Sequence, residues 1–233
     1  MINSKYFFQG FKSLKSFDSP AIALGASFIA IGALLKDIGF NLHQSILSTV
    51  LTYALPGQLV MAESFFVGAS LFNIFLAVWL VNARLYPMTV SLMPLLKETN
   101  QPKWKYYLSC HFLAVSSWLI MKDRIQSVDQ KNRIDFWIGI GVGTWLTAII
   151  ATIVGYLLSD YLSKDMVIGL AIVNPVYFAC MMAGAMKSKS ISAAVILGSI
   201  FGPTLFLFSE EWSILIGGTL AGTIAFLVGE NYE

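Results

Sequence analysis

SILSTVLTYALPGQLVMAESFFVG, residues 45–68, is apolar almost throughout, and Glu63 is the one carboxylate in it. It is long enough to cross a bilayer as a helix, for which about 17–25 residues are needed. Windows of the same kind recur along the chain, at about Pro20–Leu35, Gln44–Val67, Ser70–Leu96, Lys105–Met121, Phe136–Leu158, Met166–Met186, Ile191–Phe208 and Ser213–Val228. That is eight, or seven if the very tight Ser209–Trp212 turn does not separate the last two. The composition agrees. Of 233 residues, 57% are apolar and 12% charged, against about 25% charged in an ordinary soluble domain, and mean hydropathy is +0.72. The alternation that barrel strands would show is absent. The expected fold is therefore all-α: a polytopic transmembrane bundle of seven or eight spans with discontinuous helices. One membrane domain covers residues 1–233, with 1–18 expected as a cytoplasmic N-terminal segment.

The same numbers exclude several function classes. A net charge of +2 with no basic stripe gives no nucleic-acid surface. Lys5, Lys12 and Lys15 precede no apolar h-region, so no cleaved signal peptide is expected. Cys110 and Cys180 are isolated, as are His43 and His111, and no metal-binding spacing appears. No Ser–His–Asp or HExxH arrangement is present, so neither enzyme activity nor a cofactor is expected.

Orientation follows Lys and Arg in short loops. With eight full crossings and a cytoplasmic N-terminus, nine such residues face the cytoplasm and five the opposite side. A re-entrant second segment would make the count seven to seven. Full crossing is the favoured reading, and it puts both termini in the cytoplasm.

Function is expected where the spans contain what hydrocarbon penalises. Pro56-Gly57 falls near the centre of the second segment, flanked by Tyr53 and Gln58. A break there frees backbone groups that are tolerated only inside protein or facing a wet cavity. Broken helices of this kind commonly form transporter sites. Arg84 follows Asn82 in the middle of the third segment, about 18–20 Å from either surface at 1.5 Å per residue, too deep to snorkel. It either pairs with Glu63, the one carboxylate well inside a span, or binds a substrate acid. Asn174-Pro175 gives a second expected interruption, in the sixth segment, and Gly202-Pro203 a further kink. Gly139, Gly141, Gly143, Gly198, Gly202, Gly218 and Gly222 are expected to pack helices closely.

YALPGQ at 53–58, NARLYPMTVSLMP at 82–94 and WIGIGVGTWLTAIIATIVGYL at 137–157 resemble the AzlC family of inner-membrane proteins, over roughly residues 18–229. The resemblance implies the large subunit of a branched-chain amino acid exporter, working with a small AzlD-like membrane partner. The family's Gly-Ala-Ser-Gln stretch is matched by Pro56-Gly57-Gln58, and its Asn-x-Arg-His motif by Asn82 and Arg84. Its His falls on Leu85 here, and its Thr-Asp-Glu stretch on Val115-Ser116-Ser117. The expected substrate site uses Tyr53, Pro56, Gly57, Gln58, Asn82, Arg84 and Asn174, with Glu63 and His111 for proton coupling or ion pairing. A homo-oligomer is compatible with this. The alternatives are a non-transporting scaffold or sensor subunit, and an exporter of another small carboxylate-bearing metabolite.

Overall fold

The computed structural model describes residues 3–15, 20–98, 101–186, 189–208 and 210–230. Among these the chain is helical, with no strand: α1 (Ser4–Lys12), α2 (Pro20–Asp37), α3 (Leu42–Thr52), α4 (Leu55–Phe66), α5 (Leu71–Asn82), α6 (Leu85–Leu96), α7 (Lys103–Cys110), α8 (Val115–Arg124), α9 (Arg133–Leu158), α10 (Lys164–Ala185), α11 (Lys189–Phe206) and α12 (Glu210–Glu230). Two helical stretches, the one containing α9 and α2, are long and apolar enough to cross a membrane. The pair α5–α6, bent by 49° at Ala83-Arg84, makes a third if it counts as one span. Large apolar side chains such as Phe66, Leu71, Phe72 and Leu207 stand exposed around the outside. Hydrocarbon, not water, is the solvent that permits this.

α9 is the axis of the fold. Its buried face carries glycines where other backbones cross. A Cβ on Gly155 would overlap the Ile29 carbonyl of α2, and one on Gly139 the Phe7 carbonyl of α1. The expected packing role therefore holds for Gly139, Gly141 and Gly143. A Cβ on Gly198, Gly202, Gly218 or Gly222 would meet nothing within 4 Å. Gly217 is the residue of α12 that approaches α11, at the backbone of Gly202.

Contacts along α9 place α1, α2, α3, α7 and α8. Asn3 N–H donates to Asp135 Oδ2 at 2.9 Å, and Phe7 meets Gly139. α1 thus lies against the first half of α9. Its lysines interrupt the hydropathy window, while Tyr6, Phe7, Phe11 and Leu14 still supply an apolar surface. α2 follows the second half of α9, from Leu24 beside Ala148 to Gly32 beside Thr152 and Tyr156.

α3 enters at the far end, where Tyr156 Oη donates to the Phe40 carbonyl at 3.1 Å. It descends to Tyr53, which packs with Leu24, Phe28 and Ala148 halfway along α9. The chain then reverses. α4 climbs back until Ala62 meets Ile31 and Leu35, and the rings of Phe40 and Phe65 touch at 4.8 Å. The second segment is a hairpin that enters and leaves at one end.

α5 and α6 together run the whole way, from the short turn after α4 to Leu92 and Leu96, which pack with Ile134 and Trp137 at the start of α9. α7 then enters from that near end. Lys105 Nζ lies 3.1 Å from Asp135 Oδ1, and Trp137 Nε1 donates to the Ser109 carbonyl at 3.3 Å. The chain reverses again at His111–Ala114, and α8 returns so that Met121 and Ile125 rejoin the near-end core.

Two expectations change as a result. The segments at Gln44–Val67 and Lys105–Met121 do not cross, because each is two short half-helices folded back on itself. Hydropathy registers the same apolar content whichever way the chain turns. Lys97, Lys103 and Lys105 consequently lie at the same end as Lys131 and Arg133, where Gln130 Nε2 donates to the Lys97 carbonyl and an Arg133 NH group to that of Leu95. Further, Asn174-Pro175 interrupts nothing, since α10 is continuous through Pro175. The partner of the first break is the reversal at His111–Ala114.

Candidate functional site

The two hairpin tips meet halfway along the bundle. The rings of Tyr53 and His111 are 6.5 Å apart, and Ala114 packs against the cluster of Leu24, Phe28 and Tyr53. At each tip a half-helix begins, and the two N-termini face a common cavity of about 420 Å³. Its walls include Phe28, Ile31, Tyr53, Pro56, Arg84 and Ser116. Sites for small molecules typically span roughly 300–1,000 Å³.

The first reversal lies at Tyr53-Ala54, upstream of the Pro56 that marked it in the sequence. Tyr53 takes the left-handed conformation, φ 40 and ψ 39, and is the one described non-glycine residue with positive φ. A non-glycine residue held there is strained, and the surrounding packing sustains it. Pro56 sits in the first turn of α4, where its missing N–H costs nothing. Proline therefore starts a half-helix here instead of kinking a full one. The first intrahelical bond at this end is Gln58 N–H to the Ala54 carbonyl, which leaves the Leu55 and Gly57 amides ahead of it. No side chain caps the helix.

α8 is built alike, without proline or glycine. Ser117 holds the reversal closed: its hydroxyl accepts from Ala114 N–H at 2.9 Å and lies 2.8 and 3.0 Å from the carbonyls of Phe112 and Ala114. The first intrahelical bond is Trp118 N–H to the Ala114 carbonyl, so the amides of Val115, Ser116 and Ser117 precede it. Both N-termini carry the positive end of a helix dipole.

Arg84 projects from the bend between α5 and α6 into the same cavity. It forms no ion pair with Glu63, which is exposed on α4. Its Nε is buried without a hydrogen-bond partner, as is Ser116 Oγ, while Tyr53 Oη is directed at Thr144 of α9. Tyr53 and Ser116 are only 2% and 1% exposed. Gln58 Oε1 and Asn82 Oδ1, both acceptors, are buried without a partner as well, so several groups near the two N-termini depart from the rule that buried polar groups are paired.

Other expected residues lie elsewhere. Gln58 faces α3 and does not line the cavity: its Nε2 donates to Thr49 Oγ1 at 2.9 Å and Ser48 Oγ at 3.1 Å, and Thr49 meets Thr152 of α9 at 2.9 Å. Gly57 makes room for Asn82, whose amide nitrogen would lie 2.7 Å from any Cβ there. The ring of His111, an exposed residue, lies 6.1 Å from that of Trp145 as well as beside Tyr53. The side chain of Asn174 lies outside the described residues, although its neighbour Pro175 lines the cavity. Ser116 was missed as a site residue. The adjacent hydroxyls at Ser116-Ser117, in the middle of an apolar window, were the available signal.

The family model for the AzlC protein matches residues 20–162, which contain both hairpins, the bend and most of the cavity wall. The chain belongs to the AzlC family. AzlC membership makes it a membrane protein related to branched-chain amino acid transport. No curated protein and no solved structure matches the chain.

Proposed function

We propose that this AzlC protein is the large subunit of an exporter for branched-chain amino acids or related apolar carboxylates, in the cytoplasmic membrane. The observation that carries the reading is the unpaired Arg84 guanidinium facing the same cavity as two uncapped half-helix N-termini. A permanently charged fork with converging amides is the complement of a carboxylate, and the apolar walls suit a branched side chain. Tyr53 and Ser116 would orient the acid. Opposed hairpins supply irregular backbone at membrane depth only where it lines a cavity, as alternating-access carriers require.

The Lys and Arg at the ends of α6, α7, α8 and α9 gather at the end bearing Asn3, against Lys36 and Lys164 at the other. This bias supports a cytoplasmic location for the Asn3 end. Transport with a small AzlD-like partner, driven by the proton-motive force, completes the proposal, with His111 beside Tyr53 and Glu63 on α4 as the titratable groups available. The test is efflux from cells loaded with leucine, isoleucine or valine, with and without the partner. Arg84→Ala should abolish efflux while leaving membrane insertion intact. Unchanged efflux in an inserted Arg84→Ala protein removes the assigned role.

A further inference from the structure

α6 and α7 run side by side from the near end of the bundle but do not close on each other. Between them lies a groove of about 1560 Å³ that shares no lining residue with the central cavity. It is larger than the roughly 300–1,000 Å³ of small-molecule sites. Its inner walls are largely apolar, with Val90 and Met93 on α6 and Tyr107 on α7. Cys110 marks its deep end, one residue before the reversal at His111, whose ring lies 6.1 Å from that of Trp145 midway along α9. Val90 and Tyr107 are 53% and 78% exposed, so the groove is open along its side at the depth of the hydrocarbon. What enters such an opening comes from the bilayer, not from water.

The mouth carries charge of both signs. Lys97 and Glu98 at the end of α6, Lys103 at the start of α7, and Asp129 and Lys131 before α9 all line it. Two hydrogen bonds join these pieces without using the charges. Gln130 Nε2 donates to the Lys97 carbonyl at 3.1 Å, and Glu98 N–H donates to Tyr106 Oη at 3.0 Å. Among the described residues none of the five charged side chains forms an ion pair, whereas Lys105, also on α7, is paired with Asp135. Three cations and two carboxylates are thus left to meet a ligand. A purely anionic headgroup would satisfy the lysines and be repelled by Glu98 and Asp129. A headgroup with a primary ammonium beside its phosphate meets both signs, through charge-assisted hydrogen bonds on each. A trimethylammonium head brings the charge but no N–H to donate.

We propose that the groove is a specific site for a phosphatidylethanolamine-type lipid. An acyl chain lies along Val90, Met93 and Tyr107, the phosphate faces Lys97, Lys103 and Lys131, and the ammonium faces Glu98 and Asp129. So placed, the lipid fills the space that α7 leaves against α6 and braces the outer arm of the second hairpin.

The experiment uses the full chain, purified with any co-purifying subunit and stripped of lipid in detergent. It is titrated with the palmitoyl-oleoyl forms of phosphatidylethanolamine, phosphatidylcholine and phosphatidylglycerol, and bound lipid is counted by native mass spectrometry. The ethanolamine lipid should bind at least about 5-fold more tightly than the other two, the scale of charge-assisted bonds at a partly exposed site. Glycerophosphoethanolamine, the same headgroup without chains, should not compete. Glu98→Gln/Asp129→Asn should bring the ethanolamine and choline lipids within about 2-fold of each other, with binding retained. Lys97→Gln/Lys103→Gln/Lys131→Gln should weaken all three lipids at least about 5-fold. All five positions lie on the rim, so neither variant should change the melting temperature of the lipid-free protein. Tightest binding of the glycerol lipid, or equal binding of all three, would overturn the inference. So would competition by the chain-free headgroup, an unchanged preference in the double variant, or unchanged binding in the triple. An ethanolamine preference that appears only when a co-purifying subunit is removed would hand the groove to that subunit and likewise overturn it.

Discussion

Removing either partner of the Lys105–Asp135 pair should destabilise the protein far more than removing both. The two side chains are 2% and 3% exposed, with Nζ and Oδ1 3.1 Å apart. At an effective dielectric constant of about 20, unit charges at that distance attract by about 5 kcal/mol, before desolvation is subtracted. Lys105 also donates to Gln101 Oε1 at 2.9 Å, and Asp135 accepts from Asn3 N–H at 2.9 Å. The pair therefore joins the start of α7, the start of α9 and the N-terminus of the chain. Lys105→Met leaves a buried carboxylate beside the Asn3 amide, and Asp135→Leu removes the carboxylate that the buried ammonium faces. Breaking a buried pair in this way typically costs about 3–5 kcal/mol, whereas apolar replacement of both partners is often near neutral. At roughly 2–4 °C per kcal/mol for a chain of this size, each single variant should melt roughly 6–20 °C lower. The assay is thermal unfolding in detergent, followed by the monodisperse fraction on size exclusion, for the two single variants and the Lys105→Met/Asp135→Leu double. The double variant should melt within about 4 °C of the parent. A double variant as unstable as the worse single would show that the charges do not act as a pair and would refute the argument.

Other outcomes follow from the packing and the topology. Gly155→Ala would drive a Cβ into the Ile29 backbone and should cost about 1–3 kcal/mol, the usual range for overpacking, read in the same thermal assay; Gly218→Ala, which meets nothing, is the control and should be silent. Ser117→Ala leaves Ala114 N–H without its acceptor and should cost about 1–3 kcal/mol, also lowering ligand binding, because the α8 N-terminus is no longer fixed. In a background with Cys110 and Cys180 replaced, single cysteines at Lys103 and Lys131 should label from one side of the membrane. Cysteines at His43 and Ser70 should label from the other. Labelling of Lys103 and Lys131 from opposite sides would restore a full crossing by the Lys105–Met121 segment.

Much was legible without coordinates. The membrane character, the all-helical class and the family were set by composition, by window length and by a few motifs, because hydrocarbon imposes those constraints on any chain that enters it. Arg84 was found for the same reason: a permanent charge at that depth stands out against its background. The direction of each half-helix was not legible. Residues 105–121 have the same hydropathy whether they cross or reverse, and the turn at His111–Ala114 is held by Ser117 and by contacts with Trp137 and Trp145, far away in sequence. Proline misled twice. Pro56 begins a half-helix three residues after the real reversal at Tyr53, and Pro175 lies inside a continuous one. What the sequence determined by itself is that this chain lives in a membrane and carries a buried cation there. That Arg84 faces a cavity between two opposed hairpins was decided by tertiary structure, because a backbone reversal at membrane depth depends on groups distant in sequence, such as Trp145 at the Val50 carbonyl.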